Sequence, residues 1–177
     1  MIRLVGFCGP IGAGKTTAAR LLVAQGFERV RLAEPLKNML RALGLTESEI
    51  DGSDKEKPSD LLCGATPRWA MQSIGTEWGR QCLGADFWVR AWAKIADEKL
   101  ARGVPVVVDD VRFSNEAQAI WDRDGLLIRV QRPGLATGVH ASEQLPPDCC
   151  DARLDNASDE AALAHALAQA LSAAKLA

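Results

Sequence analysis

Short apolar runs alternate with amphipathic stretches along the first and last thirds of the chain. Ile2 to Cys8 reads as a buried strand, and Lys15 to Gln25 has helical spacing closed by Gly26. Glu28 to Leu32 reads as a second strand. Val104 to Val108 and Leu126 to Gln131 are strand runs rich in branched residues, with a helical pattern at Ser114 to Arg123 between them. Pro105 is tolerable only near the start of its strand. This alternation predicts an α/β fold on a parallel sheet. About 70 residues, Ala33 to Gly103, separate the second strand from the third, although a crossover needs only a dozen or so. A helical insertion over 33–103 is expected there, with helices at Glu34 to Leu43, Pro67 to Leu83 and Asp86 to Ala101, and a polar loop at 51–60. Such an insertion is the natural place for a second substrate. At the far end, Leu163, Leu167 and Leu171 give an alanine-rich helix one docking stripe, capped by Asn156 or Ser158.

Composition narrows the class. The 177 residues are 47% hydrophobic and 25% charged with a formal net charge of −2, ordinary for one globular domain and unlike a protein whose main partner is bulk nucleic acid. The longest helix-compatible stretch without an ionised side chain, Ala161 to Ala174, is too short to span a membrane. The amino terminus is too brief an apolar segment for a signal peptide, so a cytoplasmic location is expected. Cys8, Cys63, Cys82, Cys149 and Cys150 form no CxxC pair, and only two histidines accompany them, so neither a disulfide framework nor a zinc site is indicated. The vicinal Cys149 and Cys150 read as two small, partly buried thiols.

Chemistry is concentrated at GPIGAGKT, Gly9 to Thr16, which fits the phosphate-binding pattern G-x-x-x-x-G-K-[ST] between a strand and a helix. Glycines let successive N–H groups curl inward on phosphate oxygens, and the helix N-terminus adds its positive end. Gly9, Gly12, Ala13, Gly14, Lys15, Thr16 and Thr17 are thus the expected ATP contacts, with Lys15 on the β and γ phosphates and Thr16 on Mg²⁺. The metal's second anchor should be a carboxylate at the end of a neighbouring strand, and VPVVVDD offers Asp109 and Asp110. Strand alternation sends them to opposite faces, which leaves the choice between them open. Residues 1–45 carry a charge excess of +5, leaving −7 for the rest, which suits a phosphate-binding end.

In the insertion, Arg68, Gln72, Thr76 and Arg80 recur every four residues, so one helix face would carry two guanidinium groups and two hydrogen-bonding side chains for a nucleotide. Trp69, Trp78, Trp88 and Trp92 share the insertion; most should pack in its core, with at most one against a base. Arg132 precedes a Gly/Pro-rich loop, and 132–150 is expected to form a lid in which Arg132 clamps the transferring phosphoryl group and His140 supplies a hydrogen bond. His165, on the alanine-rich helix, reads as a surface or packing residue.

GPIGAGKTT, LAEPLKNML (32–40), IGTEWGR (74–80), DVRFSNEA (110–117) and HASE (140–143), in this order, give a chain that resembles the phage-type deoxynucleoside monophosphate kinases over nearly its whole length. The resemblance implies a P-loop kinase fold, 1–177 as one domain with a five-stranded sheet in the order 2-3-1-4-5, and transfer of the ATP γ-phosphoryl to a dNMP acceptor. It makes Asp110 the better metal candidate, moves Arg112, Asn115 and Glu116 to the substrate side with Glu34 and Lys37 of LAEPLKNML, and offers Asn156 of RLDNAS (153–158) as a nucleotide contact. Lys15, Asp110 and Arg132 would be the catalytic set. A homodimer is left open. The alternatives are a kinase of the same fold acting on dephospho-coenzyme A or a ribonucleoside monophosphate, and a P-loop nucleotide switch. The lack of an NKxD motif speaks against a guanine-reading switch.

Overall fold

The computed structural model describes residues 2–135, 145–146 and 149–174. Five strands, β1 (Leu4–Cys8), β2 (Glu28–Arg29), β3 (Val106–Val108), β4 (Leu126–Gln131) and β5 (Ala152–Asp155), make one all-parallel sheet in the order β2-β3-β1-β4-β5. This is the order the resemblance implied. The chain divides into two compact units, Met1–Arg31 with Ala93–Ala177, and Leu32–Trp92.

The first unit is the sheet and its helices. β1 and β3 are buried along their whole length, as continuous apolar runs in a parallel sheet should be. Helix α1 (Lys15–Val23) contributes Ala18, Ala19 and Leu22 to a core with Val5, Phe7, Val107, Ile128, Val130 and Leu154. Further along the chain, α6 (Ser114–Trp121) buries Ala117 and Ile120; Ile120 and Val111 close over Gly6 on the other face of β1. The last helix, α7 (Glu160–Ala173), docks Leu163 and Leu167 into the core below α1, as their spacing predicted. Its cap is Asp159, accepting from the Ala162 N–H at 2.9 Å, rather than Asn156 or Ser158. Asn156 is absent from that cap because it is engaged elsewhere. β2 is shorter than the predicted Glu28 to Leu32: it spans Glu28–Arg29, with the N–H groups of Glu28 and Val30 donating to the carbonyls of Pro105 and Val107.

The second unit is helical: α2 (Glu34–Ala42), α3 (Glu47–Ile50), two 3₁₀ turns at Ser53–Glu56 and Asp60–Leu62, α4 (Pro67–Ser73), and the start of α5 (Phe87–Ala101). Its core is Leu36, Leu40, Leu45, Ile50, Ala70 and Trp88. The expected single helix from Pro67 to Leu83 changes winding at Ile74 and continues as a π-helix, Ile74–Leu83. The cause is local. Trp88 lies across Gly79, where a Cβ would come within 2.1 Å of its indole nitrogen, and that nitrogen donates to the Gly75 carbonyl at 2.9 Å. Two glycines four apart in IGTEWGR thus admit an indole, and the wider turn follows it. Trp78 and Phe87 stack edge-on beside it. Of the four insertion tryptophans, Trp88 and Trp92 are buried, whereas Trp69 is 58% and Trp78 42% exposed.

Candidate active site

The phosphate-binding loop follows β1 and is held by β4 and by the residue that follows β5. Gly9 has φ +123° and lies so close to β4 that a Cβ would sit 2.2 Å from the Val130 carbonyl oxygen; only glycine fits. Gly14, at φ +104°, faces Asn156, whose amide nitrogen a Cβ would approach to 2.3 Å. Asn156 donates that N–H to the Ala13 carbonyl at 2.9 Å and its own backbone N–H to Gln131 at 2.7 Å. The residue that resemblance offered as a nucleotide contact therefore ties β5 and β4 to the loop, a brace beneath it. Lys15, at the N-terminus of α1, donates from Nζ to the carbonyls of Gly9 at 2.5 Å and Pro10 at 2.8 Å, which arches its ammonium over the loop.

Next along α1, Thr16 donates from Oγ1 to Asp109 Oδ2 at 2.9 Å. Asp109, its side chain only 2% exposed, also accepts from Arg29 Nε at 2.9 Å and Nη2 at 2.6 Å, a bidentate pair. The strand-end carboxylate that meets Thr16 is thus Asp109, whereas the resemblance favoured Asp110. The reason lies in β-strand parity. Val107 joins the core under α1 and pairs in register with Val5 and Arg29, so Asp109, two residues on, faces α1 while Asp110 turns away, half-buried. The pairing of Arg29 with Asp109 was missed because Arg29 lies in a two-residue edge strand with no motif around it. A hydroxyl and a carboxylate are hard oxygen donors and fit Mg²⁺. No group of three or more His, Cys, Asp or Glu able to hold a metal occurs among the described residues.

Beyond β3, Glu116 is buried and accepts from the backbone N–H groups of Arg112 at 2.7 Å and Phe113 at 3.1 Å. It shapes the DVRF turn as a cap for α6. The exposed Arg112 lines a small cleft with Cys8, Gly9, Val111, Arg129 and Leu145, which brings it to the start of the phosphate loop. Asn115 is half-buried in the first turn of α6. Arg132 is exposed just past β4; His140, with most of the expected lid, lies outside the described residues.

In the helical unit Glu34, Lys37, Arg68 and Arg80 have partners within that unit. Lys37 pairs with Asp51 at 2.5 Å, Glu34 with Arg41 at 2.7 Å, and Arg68 with Glu56. Arg41 also binds Glu47 and Asp51, and Glu47 foremost, with Glu34, holds its guanidinium above the usual arginine range against the opposing effect of burial. Arg80 donates to the Ala85 carbonyl at 3.1 Å. Gln72 is exposed on α4, and Thr76 is exposed beyond it on the π-helix. The change of winding at Ile74 therefore interrupts the uniform four-residue face expected of Arg68, Gln72, Thr76 and Arg80.

Comparison with known proteins agrees with this geometry. A family model described as an AAA domain matches residues 4–169. A protein of Acanthamoeba polyphaga mimivirus, named "Putative deoxynucleotide monophosphate kinase", is 37% identical over 155 residues, 79% of this chain and 80% of that one. The chain belongs to the deoxynucleotide monophosphate kinase family of P-loop kinases. A second relative of that name, the deoxynucleoside-5′-monophosphate kinase of Escherichia phage T5, is 36% identical over 72 residues, 37% of this chain and 27% of its own. Among solved structures, TT1252 from Thermus thermophilus superposes with a TM-score of 0.55 at 20% identity, covering 97% of both chains. The APS kinase CysC of Mycobacterium tuberculosis gives 0.51 at 16% identity, also over 97% of both, and these two likenesses bear on the fold alone. This kinase has no helix, among the described residues, long and apolar enough to cross a membrane.

Proposed function

We propose that this kinase transfers the γ-phosphoryl group of ATP to the 5′-phosphate of a deoxynucleoside monophosphate, giving the diphosphate and ADP by direct in-line displacement. The observation that carries this reading is the 37% identity, over four-fifths of its length, with the mimivirus relative of that name, joined to a braced phosphate loop whose Thr16 meets a buried carboxylate. The backbone N–H groups of Gly12 to Thr17 receive the ATP phosphates, and Lys15 leaves the Gly9 and Pro10 carbonyls for the β and γ oxygens. Thr16 and Asp109 would hold Mg²⁺, which supplies charge neutralisation at the phosphates; Arg29 keeps Asp109 oriented for that role. Arg112 and Arg132 neutralise the acceptor and transferring phosphates. The helical unit, with Glu34, Lys37, Arg68, Gln72, Thr76 and Arg80, recognises the acceptor nucleoside, its ion pairs exchanging protein carboxylates for ligand groups. Reaction without a covalent intermediate needs only positioning and electrostatics from these residues.

The test is ADP production from ATP and Mg²⁺ by the purified protein with each of the dNMPs, the ribonucleoside monophosphates and dephospho-coenzyme A beside a control without acceptor. Stimulation by one or more dNMPs is expected. ADP release indifferent to every acceptor, or stimulated only by dephospho-coenzyme A, would overturn the proposal.

A further inference from the structure

The fold brings together two thiols that are 142 positions apart in sequence. Cys8, the last residue of β1, is 1% exposed, and its Sγ lies 3.2 Å from Sγ of Cys150, a half-buried residue two positions before β5. Both are free thiols, as are Cys63, Cys82 and Cys149. Cys8 is followed directly by Gly9, which is wedged against the Val130 carbonyl and receives Lys15. In register beside Cys8 on β4 stands Arg129, which lines the same small cleft. Neither Cys8 nor Cys150 has a part in phosphoryl transfer as derived above.

We propose that Cys8 and Cys150 form a thiol modification site that takes up a low-molecular-weight disulfide and closes to an intramolecular disulfide, weakening nucleotide binding at the adjacent loop. The exposure of the pair sets the order of events. The Cys150 sulfur, the reachable one, attacks one sulfur of RS–SR and expels the first RS⁻, leaving Cys150 as a mixed disulfide. The Cys8 thiolate then attacks the Cys150 sulfur and expels the second RS⁻. Two thiols are oxidised by two electrons, one RS–SR is reduced to two RSH, and the two protons lost from the cysteines end on the departing thiols. The surroundings suit Cys8 as the resolving nucleophile. In the reduced pair the hydrogen bond with Cys150, and after it the Arg129 guanidinium, lower its pKa against the opposing effect of burial, while Cys150 is pushed up by the same partnership; once Cys150 is a mixed disulfide, it is Arg129 that still favours the Cys8 thiolate. Cys149 is raised, mainly by burial.

The coupling to the loop is steric. Joined sulfurs sit about 2.05 Å apart, so the pair must close by about 1 Å, and Cys8 cannot shift alone. Its strand is locked in register with β4, and the next residue has no clearance from Val130. Whatever part of the displacement Cys8 takes passes to Gly9, whose carbonyl helps to position Lys15.

The experiment uses the full chain equilibrated with oxidised glutathione, quenched by alkylation and mapped by peptide mass, beside binding of a fluorescent ATP analogue. A bridged Cys8–Cys150 peptide is expected in the wild type and in Cys149→Ser but not in Cys150→Ser. Cys63 and Cys82, which lack a neighbouring thiol at this distance among the described residues, should retain only mixed disulfides. Analogue affinity should fall at least about 10-fold on oxidation, return with dithiothreitol, and stay unchanged in oxidised Cys150→Ser. A Cys149–Cys150 bridge, mixed disulfides alone, or a Cys8–Cys150 bridge that leaves affinity intact would overturn the proposal. It rests on the phosphate-loop reading and on no choice of acceptor, and analogue binding by the reduced protein, measured first, tests that reading separately.

Discussion

The two units of this kinase treat their polar side chains differently. Around the phosphate loop the contacts are inside the fold: Asp109 is nearly sealed from solvent between Thr16 and Arg29, and Asn156 sits beneath Ala13. In the helical unit the paired carboxylates are all open to water, with partners that range from half-buried, as Lys37 on Asp51, to exposed, as Arg68 on Glu56. Buried pairs resist rearrangement because each partner, once separated, is left desolvated, while exposed pairs exchange partners at almost no cost. Fixed geometry suits a phosphate chain that is the same for every ATP. Exchangeable pairs suit an acceptor that must arrive, be recognised and leave.

This contrast can be broken most directly at Lys15. Lys15→Ala should lower kcat by about 10²-fold or more, the scale for losing one preorganised electrostatic donor, with little change in thermal stability; near-normal turnover would remove the loop from the chemistry. Asp109→Asn should come next. It strands the Arg29 guanidinium, which is 33% exposed, so the cost in stability is about 1–3 kcal/mol, below that of a fully buried pair. It should also raise the Mg²⁺ concentration needed for half-maximal rate, whereas Asp110→Asn should leave that concentration unchanged. Equal effects of the two substitutions would contradict the parity argument. For the helical unit, Gly79→Ala pushes a methyl into the Trp88 ring and should cost about 1–3 kcal/mol. Its kinetic signature should be a raised KM for the acceptor with KM for ATP little altered.

The smallest effect concerns Glu49, which closes the capping box of α3 with Thr46. The Thr46 backbone N–H, and after it the Ser59 hydroxyl, lower its pKa in the folded state. A lowered carboxylate contributes stability above its unfolded pKa and loses it as pH falls through the folded one. The difference in urea midpoint between wild type and Glu49→Gln should therefore be present at neutral pH and vanish below the ordinary glutamate range. A difference that persists into strong acid would mean that the carboxylate's charge is not its source.

Local features were legible in the chain and long-range ones were not. GPIGAGKT carries its own geometry, since its glycines and the following helix dictate the loop whatever else surrounds it. Choosing between Asp109 and Asp110 required knowing which face of β3 meets α1, and Val106 to Val108 are buried on both faces, so no alternation marks either one. The brace from Asn156 depends on β5, four residues too few and too mixed to announce a strand. At IGTEWGR the four-residue spacing of polar groups reads as an α-helix, and only the indole of Trp88, which fits against Gly79, exposes the wider winding. The approach of Cys150 to Cys8 is a product of sheet order alone.

The dependence of the loop on Asn156 also sets an order of assembly. Gly9 to Thr16 emerge early during synthesis, but the residue that holds the Ala13 carbonyl comes with the final strand of the sheet, 143 positions later. A nascent chain that has reached only β4 has the phosphate-binding sequence without its support. Nucleotide capture should therefore switch on only once Asn156 has been made, after the sheet has been completed and the helical unit has already had time to fold.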